Sequence, residues 1–225
     1  MIPLRDNVPS RRFPATTLLL IFINVLVYLF EVTLGQQALS QFIRIYGVTP
    51  YYFTTGIWPY ARFLPLSLTL ITTQFLHGGL LHLGGNMLFL WIFGDNVEDQ
   101  LGSVRYLLLY LGSGVIGSIA HIWLEPLSRA PLVGASGAIA GVLGAYLMMF
   151  PWAKVKTLVL LGWFLTTVNV PAILFLGFWF LVQLWSGSQM SLGAARDAVA
   201  YWTHVGGFAS GFFLVRLMKP RRLYR

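Results

Sequence analysis

The chain contains no cysteine. Disulfides, thiolate nucleophiles and cysteine-ligated zinc or iron–sulfur centres are thereby excluded. Charge is scarce as well: Asp, Glu, Lys and Arg make up 10% of the 225 residues, where an ordinary soluble domain carries about a quarter. Acidic side chains are the scarcest, 7 against 15 Lys and Arg, for a formal net charge of +8. In a soluble protein that surplus would raise nucleic acid as a partner. Here the basic residues sit at the ends of apolar stretches, the positive-inside pattern of a membrane protein, so no nucleic-acid partner is expected. Hydrophobic residues take up 57% of the chain, and mean hydropathy is +0.73. With spans of roughly 20 residues, the length accommodates about six crossings and short loops. No soluble domain fits before, between or after them.

Six apolar segments can be drawn along the chain. The first runs from Ala15 to about Leu34 after a polar, basic stretch. It is too long and lacks the small-residue cleavage site of a signal peptide, so it is read as a span that stays. The others are Gly78 to Gly94, Tyr106 to Trp123, Ser136 to Phe150–Pro151, Pro171 to about Trp185, and Tyr201 to Met218. Gly35 to Thr73 is rich in aromatics, Pro and Gly and holds no clean span. An amphipathic segment in the headgroup region suits it best. Residues 155–180 carry no charge after Lys156, and Thr157–Val168 is expected to form a re-entrant or interfacial lead-in to the fifth span. The expectation is an all-α, six-span polytopic bundle, one membrane domain over 1–225. Residues 1–14 would be a cytoplasmic segment, 15–218 the core and 219–225 a basic cytoplasmic tail.

Charge tests the count. Six spans with the N-terminus inside put 11 of the 15 basic residues on the cytoplasmic side and leave only Arg44, Arg62, Arg129 and Arg196 outside. An odd number would carry the tail from Lys219 onward outside, against the rule. Both termini are therefore expected in the cytoplasm, with the cell (plasma) membrane as the site.

Polar residues inside spans are costly and mark function by default. The second span holds His77, His82 and Asn86, the fourth opens Gly134-Ala135-Ser136-Gly137, and the sixth carries His204-Val205-Gly206-Gly207 and then Gly211. His82 stands 13 residues before Asp95, Ser136 18 before Lys154, and His204 15 before Lys219. At 1.5 Å per residue all three lie roughly 20–27 Å above the cytoplasmic boundary, in one layer. Gly137-x-x-x-Gly141 and Gly207-x-x-x-Gly211 are faces on which two helices approach closely; if they meet, Ser136 and His204 are drawn together. An imidazole within hydrogen-bond reach turns a Ser hydroxyl into a nucleophile. A helix start at Ser136 favours developing negative charge. His82 and Asn86, one turn apart, are candidate donors to an oxyanion. Each motif has a plainer reading as helix packing, and three His at one depth could hold zinc. The coincidence of Ser, His and a donor pair in one layer favours catalysis, with no cofactor.

This combination resembles the rhomboid intramembrane serine proteases, from about Phe75 to Gly211. Gly134-Ala135-Ser136-Gly137 is similar to the family's GxSG nucleophile motif. His204 to Gly211 is similar to HxxGxxxG on the last core helix, whose His is the base. His77, His82 and Asn86 match the motif whose Asn and second His line the oxyanion hole. Glu98-x-x-x-Gly102-x-x-Arg105 resembles a structural polar knot. The Trp-Arg pair many members carry in the first loop is absent. Ala140 stands where some members place an aromatic ring on the base, which leaves open what orients His204. The resemblance implies a serine endopeptidase acting on single-pass transmembrane proteins within the bilayer, without metal or cofactor. The alternative is an inactive rhomboid-like protein that binds membrane clients; such relatives typically lack the Ser or the His. A small transporter would show inverted repeats, and none is evident. Oligomeric state and natural substrate are not encoded legibly. The moving part is expected to be the fifth span with residues 186–200, where Trp179 and Trp185 would plug the gap.

Overall fold

A computed structural model describes residues 2–60, 63–161, 164–191 and 199–218. Six long helices form the bundle: α1 (Ala15–Thr33), α5 (Leu80–Leu101), α6 (Ser103–Leu124), α7 (Ser136–Met149), α8 (Ala172–Ser191) and α9 (Tyr201–Leu217), with three short ones, α2 (Gln36–Tyr46), α3 (Pro50–Thr55) and α4 (Thr69–Thr72), between the first two. All six expected apolar segments are helical. Three of the helices, α1, α6 and α8, are long and apolar enough to cross a membrane by themselves. The protein is a polytopic helical bundle. Large apolar side chains such as Phe22, Leu26, Trp91, Leu108, Leu174 and Phe213 face outward, as they must where the solvent is lipid.

Buried at the centre is α7, the shortest of the six. Every residue from Gly137 to Tyr146 is buried, and its small side chains allow neighbours to approach. A Cβ on Gly207 would land on the Gly137 carbonyl, and one on Gly211 on the Gly141 carbonyl. The two glycine pairs stay in step, so α7 and α9 run parallel in contact, as their spacing predicts. α6 closes the other side of α9: a Cβ on Gly206 would meet the Ala120 methyl at 2.6 Å.

Polar ties hold the two ends of the bundle. The Glu98 carboxylate accepts from the Thr16 and Thr17 backbone N–H groups at 2.9 and 2.8 Å and from the Thr17 and Ser103 hydroxyls. It thus caps the start of α1, whose first N–H groups have no helical partner. Gly102, at φ 77°, makes the tight α5–α6 turn that a side chain would strain. Arg105 does not meet Glu98; its Nη1 donates to the Met218 carbonyl at 3.1 Å and caps the end of α9. At the opposite end Leu132 pairs with Val48, and the Tyr51 N–H donates to the Ser128 carbonyl at 3.0 Å.

Strand structure is the main departure from the sequence reading. Around residues 157–168 the chain is strand: β2 (Lys154–Leu161) and β3 (Phe164–Pro171) form an antiparallel hairpin, with β1 (Ile2–Arg5) on its other edge in the order β1-β2-β3. β-Branched residues explain it. Val155, Thr157, Val159, Thr166, Thr167, Val168 and Val170 favour a pleated chain. Pro171 marks where β3 gives way to α8. The aromatic-rich connection carries the amphipathic α2, and residues 66–75 then meet α5 at 83°.

Candidate active site

Ser136 is the first residue of α7 and His204 lies in the first turn of α9, so the parallel α7–α9 contact brings both to one end. Ser136 Oγ lies 2.8 Å from His204 Nε2. The first N–H groups of α7 have no acceptor within the helix and surround the serine. The loop before it is pinned. The Thr73 hydroxyl donates to the Leu132 carbonyl at 2.5 Å, and the Gly134 N–H donates to the Thr73 carbonyl at 3.0 Å. Gly134, at φ 129°, adopts a conformation side chains rarely take. A Cβ there would sit 2.8 Å from the His82 ring and 3.6 Å from Ser136 Oγ. Glycine is needed to keep the gap between them clear.

Ser136, His204, His82 and Asn86 line one cleft of about 630 Å³, with Trp179 and Thr203 on its wall. Asn86 is nearly buried, and its Nδ2 lies 3.0 Å from His77 Nε2. One amide proton is committed there, which leaves the second for the cleft. His77 is buried; its backbone N–H is 3.2 Å from a Glu31 carboxylate oxygen, and its ring stands 5.3 Å from that of His82. His77 therefore supports the donor pair. Among the described residues no three His, Asp or Glu side chains gather as a metal site.

One participant escaped the sequence reading. Gln183 Oε1 on α8 lies 2.7 Å from His204 Nδ1, on the opposite side of the ring from Ser136. A Gln amid the apolar run of α8 was the available signal, since such a residue in a span needs a partner. Trp179, four residues earlier, lies against the ring at 5.9 Å between centroids and 33°. Of the two tryptophans expected to plug a gap, Trp179 lines the cleft, while Trp185 is 69% exposed on the outer face of α8. Residues 192–198 of the connection expected to move lie outside the described residues.

A helical membrane protein with a serine–imidazole pair at the head of a buried, glycine-lined helix is thus defined. The Rhomboid domain family model matches residues 66–221, and the chain belongs to the rhomboid family. It is 39% identical over 144 residues to Rhomboid protease GluP of Bacillus subtilis, covering 64% of this chain and 24% of that protein. Rhomboid protein 1, mitochondrial, of Saccharomyces cerevisiae is 40% identical over 92 residues, 39% of this chain and 27% of that one. Rhomboid-like protein 11, chloroplastic, of Arabidopsis thaliana is 30% identical over 200 residues, 87% of this chain and 65% of that one. The chain spans about a quarter of the length of the first two. It is an integral membrane protein.

Proposed function

We propose that the chain is an intramembrane serine endopeptidase that cuts single-pass transmembrane proteins, with Ser136 as nucleophile and His204 as base. The observation that carries this reading is the 2.8 Å Ser136 Oγ–His204 Nε2 hydrogen bond at a helix start inside a cleft. Nε2 takes the hydroxyl proton as Oγ bonds to the scissile carbonyl carbon, and the carbonyl oxygen becomes an oxyanion. The free N–H groups at the head of α7, with Asn86 and His82 across the cleft, are the donors for that charge. Collapse of the intermediate breaks the C–N bond, and His204 returns the proton to the leaving amine. A water then repeats the sequence on the acyl-enzyme, releasing the acid and restoring Ser136.

The sidedness belongs to the same proposal. The N-terminal strand, the α5–α6 turn, the hairpin and the end of α9 form one end of the bundle, and most of the basic side chains among the described residues lie there. With that end in the cytoplasm of a plasma-membrane protein, the cleft opens towards the outside.

The test is cleavage of a single-span reporter by the purified full chain in proteoliposomes. Ser136→Ala and His204→Ala should each abolish it while thermal unfolding stays unchanged. The double variant should be no worse, because groups acting as a unit are not additive. Substantial cleavage by Ser136→Ala would end the serine-protease reading. A wild-type protein that binds the reporter without cutting it would favour the client-binding alternative.

A further inference from the structure

Between Ala172 and Trp185, Gln183 is the one polar side chain apart from the tryptophan indole N–H groups, and it is only 8% exposed. A buried amide needs a hydrogen-bond partner. Its partner is His204: Oε1 stands 2.7 Å from Nδ1, while Nε2 on the other side of the ring faces Ser136 Oγ at 2.8 Å. A neutral imidazole carries a single N–H. For Nε2 to accept the serine proton, that hydrogen must be on Nδ1, and a buried Nδ1–H requires an acceptor. The Gln183 amide oxygen is one.

We propose that Gln183 is the positioning residue of the Ser136–His204 pair, and that by standing on α8 it makes the pair competent only while α8 is packed on α9. This rests on the protease reading. Trp179, one turn earlier on the same helix face, adds a second contact to the His204 ring and also meets Phe208 at 6.0 Å. The aromatic neighbour that the resemblance leads one to seek one turn after Ser136 is Ala140 here, and α8 supplies one instead. The base is thus oriented from a peripheral helix rather than from the buried α7. Along α8 only Ala172, Phe175, Leu176, Gln183 and Gly187 are buried, whereas Leu174, Phe178, Leu181 and Trp185 are 58–69% exposed. A helix held by so narrow a stripe can move outwards while the α6–α7–α9 core stays intact. Such a move withdraws Gln183, frees the ring to take the unproductive tautomer and idles the serine. Chemistry then resumes only after α8 has closed behind the substrate, and the open state is protected from wasteful attack.

The test compares Gln183→Leu, Gln183→Glu and Ser136→Ala in the purified full chain, with the single-span reporter and with a small fluorophosphonate that reacts with an activated serine. Gln183→Leu should lower kcat by about 10²-fold, the lower end of general-base assistance, with KM nearly unchanged. Fluorophosphonate labelling should slow in parallel. Gln183→Glu keeps an acceptor oxygen at the same reach and should recover most of the loss. A cross-link between cysteines introduced at positions 187 and 202, where a Cβ on Gly187 would lie 3.1 Å from the Trp202 ring, pins α8 to α9. It should preserve labelling while blocking the transmembrane reporter. Normal kcat and labelling in Gln183→Leu beside a dead Ser136→Ala would overturn the positioning role and leave the protease reading standing. Equal impairment of the Leu and Glu variants would reduce Gln183 to a packing residue, and loss of labelling on cross-linking would overturn the coupling to α8. An active Ser136→Ala would instead remove the protease reading itself.

Discussion

Adding one methyl at Gly211, far from the dyad, should cost activity through geometry alone. A Cβ there would lie 2.5 and 2.6 Å from the Gly141 carbonyl carbon and Cα and closer still to its oxygen, where ordinary van der Waals contact begins at 3.4 Å. Both atoms belong to backbone, so neither can swing aside, and α9 must part from α7 by about 1 Å or more. The Ser136–His204 bond at 2.8 Å then passes beyond about 3.5 Å and out of hydrogen-bond range. Overpacking of this kind costs about 1–3 kcal/mol, and a displacement of about 1 Å in a reacting pair can cost about 10²-fold in rate. Gly211→Ala should therefore lower reporter turnover about a hundredfold and unfold at lower temperature. Gly177→Ala on α8, where a Cβ meets nothing within 4 Å, should match the wild type in both. The assay is reporter cleavage beside thermal unfolding in one detergent. Gly211→Ala with wild-type turnover and stability would refute the argument that the glycine crossing sets the dyad distance.

Two further outcomes concern the basic end of the bundle. Asp6 accepts a hydrogen bond from the Tyr146 hydroxyl. Burial pushes its carboxyl from the ordinary 3.8 up to about 6, a rise that the Tyr146 hydroxyl and backbone donors oppose. The folded state thus holds the proton more tightly than the unfolded one. This stabilising contribution is complete below pH 3.8 and is lost as pH rises through about 6. Hydrogen-exchange protection of β1 should fall over that window, and Asp6→Asn should flatten the dependence; an unchanged slope would contradict it. For sidedness, Ser10→Cys puts a single exposed thiol in a cysteine-free chain. An impermeant maleimide should label it only after permeabilisation, and labelling of intact cells would reverse the proposed orientation.

The six helices and the Ser136–His204 juxtaposition were legible because bilayer physics leaves simple traces: long uncharged runs, glycines four apart, and polar residues at matched depth. The hairpin at 154–171 was not legible, because its composition after Lys156, apolar and uncharged, resembles part of a span. What distinguishes it is β-branching, a weaker and more context-dependent signal than hydropathy. Arg105 was read as part of one knot with Glu98 because Glu98-x-x-x-Gly102-x-x-Arg105 resembles the family's polar-knot motif. They instead cap different helices, α9 and α1, and only tertiary structure reveals which ends come together. Gln183 was visible as a polar interruption of a span, but its partner lies 21 residues away on the next helix, a pairing no local periodicity encodes.

The depth of the site follows from the length of one helix. α7 has 14 residues, about 21 Å at 1.5 Å per residue, against a hydrocarbon core about 30 Å thick. A lipid-facing helix that short would leave backbone groups unsatisfied in hydrocarbon. α7 is tolerated because α5, α6, α8 and α9 enclose it and because the loop before it is pinned to Val48 and Thr73. Ser136 stands at the end where α7 falls short, and the cleft reaches from there along the flank of α7 past Ile139, Ala140 and Leu143. His82, Asn86 and His204 give it polar walls that water can solvate. In the proposed protease, water reaches the serine from that end of the bundle. Under the proposed function a transmembrane substrate comes sideways, and α8, with its narrow buried stripe, is the wall that gives way. In that proposal two reactants so different in polarity reach one serine by separate routes, and Trp179 and Gln183 on α8, which both touch the His204 ring, stand where those routes cross.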